Sequence, residues 1–190
     1  MARPSVAQER TQQIVEATIR AIGTHGITGA SLERIAEEAG MSRGHVRHFV
    51  GNRDELLRVS ARQFYYEGAQ DESILPLGIS DIAGTLDYLF GADFSAPGND
   101  NAVVFGFVEA ARGDPALAEL LTAAYQGTHR AIARMLEVAY PTAEPAAREA
   151  VAYGVLGIAL HNVFLNDIAS TTTDPATPRA AAERLITTLT

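Results

Sequence analysis

Between Ser31 and Val50 the chain reads Ser-Leu-Glu-Arg-Ile-Ala-Glu-Glu-Ala-Gly-Met-Ser-Arg-Gly-His-Val-Arg-His-Phe-Val, a run that admits few folds. Leu32, Ile35, Ala36 and Ala39 fall at i, i+3, i+4 and i+7, the spacing that gives a short helix one apolar face. Gly40 follows where a left-handed residue can close a helix without a Cβ penalty, and Ser42 is placed to cap a second helix. With Met41, Val46 and Val50 packed across the first helix, Arg43, Gly44, His45, Arg47 and His48 face outward. Two helices joined in this way form a helix-turn-helix. In such a unit the second helix enters the DNA major groove while flanking groups hold phosphates. The outward set is rich in donors and contains no carboxylate.

The rest of the chain reads as helix too, since strand alternation is hard to find. Ser5 with Gln8 and Asn52 with Glu55 have capping-box spacing, and Asp114-Pro115, Glu144-Pro145 and Thr177-Pro178 put proline at a first helical position. The pattern predicts an all-α protein of about nine helices, near 5–24, 31–39, 43–49, 53–71, 81–90, 101–112, 115–139, 145–167 and 178–189. A shift in character separates the first three helices, two of them short, from later ones that are richer in alanine, which divides the chain into residues 1–52 and residues 53–190. Asp93–Asn101 and Ser170–Thr177 are the expected loops, the first of them mobile, because Pro, Gly and Asn cluster in it.

Charge separates the same two parts. Net charge is −8, yet residues 1–60 balance eight arginines against seven acidic residues, whereas residues 61–190 set seven against sixteen. Lysine is absent, so every permanent side-chain cation is a planar guanidinium suited to bidentate contacts. Zero cysteines exclude disulfides, thiolate nucleophiles and cysteine-ligated metals. No apolar run reaches the roughly 18 residues of a membrane span and the first residues do not read as a signal peptide, which predicts a cytoplasmic protein with no membrane partner. No phosphate loop, metalloprotease motif or nucleophile elbow occurs, so the reading is not an enzyme, with no cofactor and no metal site. His45 and His48 lie at i, i+3 but lack a third ligand. The alternatives are a helix-turn-helix protein acting through protein contacts or as an activator, and an enzyme with a helical active-site pocket.

Ile35-Ala-Glu-Glu-Ala-Gly-Met-Ser-Arg-Gly44, followed by Gly51-Asn-Arg-Asp-Glu-Leu-Leu57, resembles the signatures of the tetracycline-repressor (TetR) family of transcriptional regulators. The long first helix, with Ile14, Ala17, Ala21 and a break at His25-Gly26, is similar as well. Two positions depart from the family, which often has Tyr where Arg47 stands and Phe where Val50 stands. The resemblance implies that Ser31, Ser42, Arg43 and Arg53 contact phosphate, and that Gly44 and His45 approach bases. Arg47 can then fork to guanine or hold phosphate, with His48 beside it.

A short recognition helix makes few base contacts, so a specific site demands two of them and implies a homodimer on double-stranded DNA. Val151, Gly154, Val155 and Ile158 form one stripe, and Leu185, Ile186 and Leu189 a second, which together are the expected dimer interface; the alternative is that both stripes face the chain's own core. The resemblance also implies an effector-binding domain for a small molecule of unknown identity and largely apolar character. Its candidate lining is Phe64, Tyr65, Tyr88, Phe105, Tyr125, Tyr153, His161 and Asn162, mostly aromatic with a few polar tips. His161 and Asn162 read as a polar pair buried on an apolar helix.

Overall fold

Local signals place most of the helices where the sequence puts them. The computed structural model describes residues 6–67, 73–96, 98–168, 174 and 176–190, and every regular element among them is helical. In chain order these are α1 (Val6–Gly29), α2 (Leu32–Glu38), α3 (Arg43–Val50), α4 (Arg53–Tyr66), α5 (Ile82–Leu89), α6 (Ala92–Ser95), α7 (Asn99–Ala111), α8 (Pro115–Ala139), α9 (Pro145–Asp167) and α10 (Thr177–Ile186). A 3₁₀ turn at Thr187–Leu189 follows.

Two expectations need correction. The loop expected over 93–101 contains the short α6 and the start of α7. Asn166 holds that region, its side-chain amide donating to the Ser95 carbonyl at 2.6 Å. α4 closes at Tyr66 rather than 71, where Glu67 turns extended at φ −70°, ψ 116°. The Ser5 cap and most of the loop expected at 170–177 lie outside the described residues.

The helices form two compact units, Met1–Glu67 with Gly98–Thr122, and Gly68–Pro97 with Ala123–Thr190. In the first, α1 packs against α2, α3, α4 and α7. α1 breaks at Gly26 (φ 68°, ψ 171°), as the His25-Gly26 pair suggested, and the final turn redirects the chain toward α2. Its contact with α7 depends on Gly106, where an added Cβ would lie 2.7 Å from the Ile22 side chain. Ile14, Ala17, Ala21, Ile22, Ile35, Val46, Leu56 and Phe107 are all fully buried and make up the core here.

The second unit is built on α9, with Val151, Ala152, Val155, Leu156 and Ala159 buried against Ile132 and Leu136 of α8, Leu86 and Leu89 of α5, and Ala182, Ile186 and Leu189 at the C-terminal end. Gly154 lets α10 close in, because a Cβ there would overlap the Leu185 side chain. Arg148, buried at the foot of α9, donates to the carbonyls of Tyr140 and Ala143 and fastens the α8–α9 turn.

Candidate nucleic-acid interface

The turn between α2 and α3 is a hydrogen-bonded stop and restart. Gly40 takes the left-handed conformation at φ 62°. The Met41 N–H bonds to the Ala36 carbonyl at 2.8 Å and the Gly40 N–H to the Glu37 carbonyl at 3.0 Å, a Schellman closure that satisfies the last carbonyls of α2. Ser42 then accepts from the His45 N–H at 3.2 Å to start α3, as Ser31 accepts from Arg34 at 3.3 Å to start α2. Each cap uses its oxygen as acceptor and keeps its hydroxyl proton for an outside acceptor, which is what a phosphate contact at a helix start requires. Gln13 on α1 donates to the Ala39 carbonyl at 2.8 Å and holds the turn against α1.

α3 is sharply two-faced. Val46 and Val50 are 0% and 9% exposed, and Met41 is half-buried. Arg43, Gly44, His45, Arg47 and His48 are exposed together on the other side. Phe49, whose direction the sequence left open, is half-buried with its ring edge-on to His48 at 5.1 Å. Ser31 and Ser42 are exposed as well.

Arg53 has an additional partner. Its guanidinium donates to the Ile27 carbonyl at 2.6 Å, joining the start of α4 to the redirected end of α1. That spends one of five N–H donors and orients the rest of a half-buried side chain. α4 itself begins with a full capping box, Asn52 accepting from Glu55 N–H and Glu55 accepting from Asn52 N–H, both at 2.9 Å.

The sequence reading did not single out the polar ties that hold α4. Arg58 donates to Asp114 at 2.8 Å and the Tyr66 hydroxyl donates to the Leu120 carbonyl at 2.9 Å. Asp114 also accepts from Ala116 and Leu117 N–H groups as the cap of α8. The Arg58 hydrogen bond, aided by those two backbone donors, holds the Asp114 carboxyl below the usual carboxylate range. Partners 56 and 54 residues apart leave no local pattern to find.

Of the residues expected to line an effector pocket, Phe64, Tyr65 and Phe105 belong to the first unit. Phe64 and Tyr65 meet edge-on at 5.3 Å and both lie near Phe107, while Phe105 is 39% exposed. In the second unit Tyr88 stacks with Phe94 at 5.3 Å, and Tyr125 and Asn162 are half-buried. His161 is exposed rather than buried, and Tyr153 is 75% exposed. The stripe expected to meet a partner chain turns inward: Val151, Val155, Ile186 and Leu189 are core, Gly154 lies against Leu185 of the same chain, and Ile158 is half-buried. The face α9 leaves to solvent is the next one round, carrying Tyr153, Gly157, His161, Phe164 and Ile168.

Residues 14–59 match the family model of bacterial regulatory proteins, tetR family. The N-terminal segment is thus similar to the tetR family. The chain is 50% identical over 50 residues to the HTH-type transcriptional regulator PksA of Bacillus subtilis (strain 168), which covers 26% of this chain and 24% of that protein. It is 42% identical over 62 residues to the HTH-type transcriptional regulator BetI 2 of Chromohalobacter salexigens, 32% of this chain and 30% of that one. The similarity thus spans about a quarter to a third of these curated relatives. Over nearly the whole chain the fold is similar to a transcriptional regulator from Rhodococcus sp. Rha1, with a TM-score of 0.70 at 18% identity, covering 94% and 95% of the two chains. It is also similar to the multidrug binding protein EbrR complexed with ethidium, with a TM-score of 0.66 at 25% identity over 93% and 98%.

Proposed function

We propose that this chain is a DNA-binding transcriptional regulator of the tetR type, a homodimeric repressor that reads a palindromic operator and releases it when a small, largely apolar effector binds. The observation that carries this reading is the outer face of α3, where Arg43, Gly44, His45, Arg47 and His48 are exposed together while Val46 and Val50 anchor the helix. Residues 1–52 read DNA, and residues 53–190 sense the effector and dimerise. Ser31, Ser42, Arg43 and Arg53 hold phosphates, and the remaining outward side chains of α3 face base edges, with Gly44 allowing close approach. The dimer reading draws support from the exposure of Tyr153, Phe164 and Ile168 along α9, since apolar side chains exposed together on one face mark association surfaces.

Effector binding works through α4, which continues directly from the reading head. For release, the ligand must prefer the spacing of recognition helices that does not fit DNA, because equal affinity for both states shifts nothing. EbrR, complexed with ethidium, supports an aromatic or apolar ligand class. No described helix is long and apolar enough to cross a membrane, in keeping with a protein that meets DNA in the cytoplasm.

Selection of random duplex DNA by the purified protein, followed by sequencing of the retained fraction, tests the reading. The expected result is an enriched palindrome whose half-sites lie about one helical turn, or a multiple, apart. A folded protein that enriches no sequence overturns it.

A further inference from the structure

α9 holds two interior glycines whose reasons differ. Gly154 is needed inside the chain, because a Cβ there would overlap the Leu185 side chain, but a Cβ at Gly157 would meet nothing within 4 Å. Gly157 is exposed in mid-helix, where glycine costs about 1 kcal/mol against alanine, and no contact within its own chain accounts for it. A bare backbone at such a point suits the close approach of another chain.

The residues around Gly157 are arranged symmetrically. Four positions before and after it stand Tyr153 and His161, seven before and after stand Ala150 and Phe164, and eleven before and after stand Ala146 and Ile168. Those steps keep all of them on one face of the helix, and all are exposed, Tyr153 by 75%, Phe164 by 46% and Ile168 by 57%. The two outer pairs each set a small side chain against a large one. Charge is arranged to match. In a two-fold contact a group near the axis meets its own copy, so a charge there meets a like charge. The chain carries −8, yet no Asp, Glu, Lys or Arg lies between Glu149 and Asp167. Glu149, at the edge of the face, is 3.3 Å from His129 of α8, whose ring stands edge-on to Tyr153 at 6.2 Å and fixes one flank of that side chain.

We propose that a second copy of this chain docks on this face with the two α9 helices antiparallel and crossing at Gly157, at the shallow angle of about 20° that keeps long helices in contact. Each residue then meets the one equally far beyond the axis. Phe164 packs on the partner's Ala150 and Ile168 on the partner's Ala146, so bulk meets space at both steps. Tyr153 meets the partner's His161, where a hydroxyl and an imidazole can exchange a hydrogen bond. The inference rests on the homodimer proposed above and adds its axis and register, which the stripe of Val151, Val155 and Ile158 does not supply.

Disulfide trapping in the full chain tests the register, and the absence of any cysteine leaves no competing thiol. Gly157→Cys, oxidised with diamide, is expected to run as a covalent dimer on a non-reducing gel, since its two copies meet at the axis within disulfide reach. Ala150→Cys alone and Phe164→Cys alone should stay unlinked, because in either the two copies lie about 21 Å apart along the helix pair. A chain carrying both substitutions should link to its partner; within one α9 the two positions are too far apart to bridge. Gly157→Leu should weaken dimerisation in sedimentation by at least about tenfold through overpacking at the axis, with helical content unchanged in circular dichroism. A parent chain that sediments as a monomer overturns this inference together with the homodimer. A dimeric parent whose Gly157→Cys variant does not link, or whose Ala150→Cys or Phe164→Cys variant links alone, overturns the register and leaves the homodimer standing.

Discussion

Arg47 and Asp114 show how single groups carry different duties. Arg47 is exposed on α3 and adjoins Val46, which is fully buried, so truncating it removes an outward-facing group without disturbing the core. Arg47→Ala is expected to weaken operator binding by about 1–3 kcal/mol and to relax sequence choice at one position if the side chain reads a base, as competition with altered operators would show. If it holds phosphate instead, every sequence weakens alike. Asp114 is structural. Its carboxyl is held low chiefly by Arg58, so the stability it contributes is present above the ordinary carboxylate range and is lost as pH falls through its lowered folded value. Arg58 is shifted upward, far above the same window, and adds no slope there. Asp114→Asn keeps an N-cap but not the charge, and should flatten the acid limb of stability against pH, measured as denaturant midpoints from pH 6 to about pH 2.

Among the elements, α4 and α9 are held by features that single substitutions can test. The reciprocal Asn52–Glu55 cap starts α4 directly after α3. Asn52→Ala leaves N-terminal donors of α4 without a partner and should cost about 1 kcal/mol in chemical denaturation. α9 meets α10 through Gly154, where any side chain would overlap Leu185. Gly154→Val is therefore expected to destabilise by about 1–3 kcal/mol through overpacking, outweighing the helix propensity it gains. A thermal melt at or above the parent's would show that α10 moves aside without cost.

For the whole molecule, the exposed stripe of α9 decides the assembly expected. Phe164 is 46% exposed and Ile168 57%, on the same face as Tyr153. Phe164→Asp puts a charge on that face without entering the core. It should shift the protein toward monomer in sedimentation and, with two half-sites no longer bound together, weaken operator binding far more than binding to a single half-site. A variant that stays dimeric would place the partner surface elsewhere.

What the sequence determined by itself lies in interactions that close within a few residues. The apolar period of α2, the glycine stop, the serine restart, the Asn52–Glu55 box and the prolines at helix starts are local, and the helix-turn-helix with its outward Arg43, His45, Arg47 and His48 was legible from them. The placing of α8, α9 and α10 was legible for the same reason. Which face α9 buries was not, because it is apolar nearly all round from Val151 to Leu160, and periodicity cannot choose a side when most sides qualify. Packing against α5, α8 and α10 made that choice, turning Val155 inward and His161 outward. Arg53 on Ile27 and Arg58 on Asp114 likewise join residues dozens of positions apart, and such pairings exist only once the chain has folded.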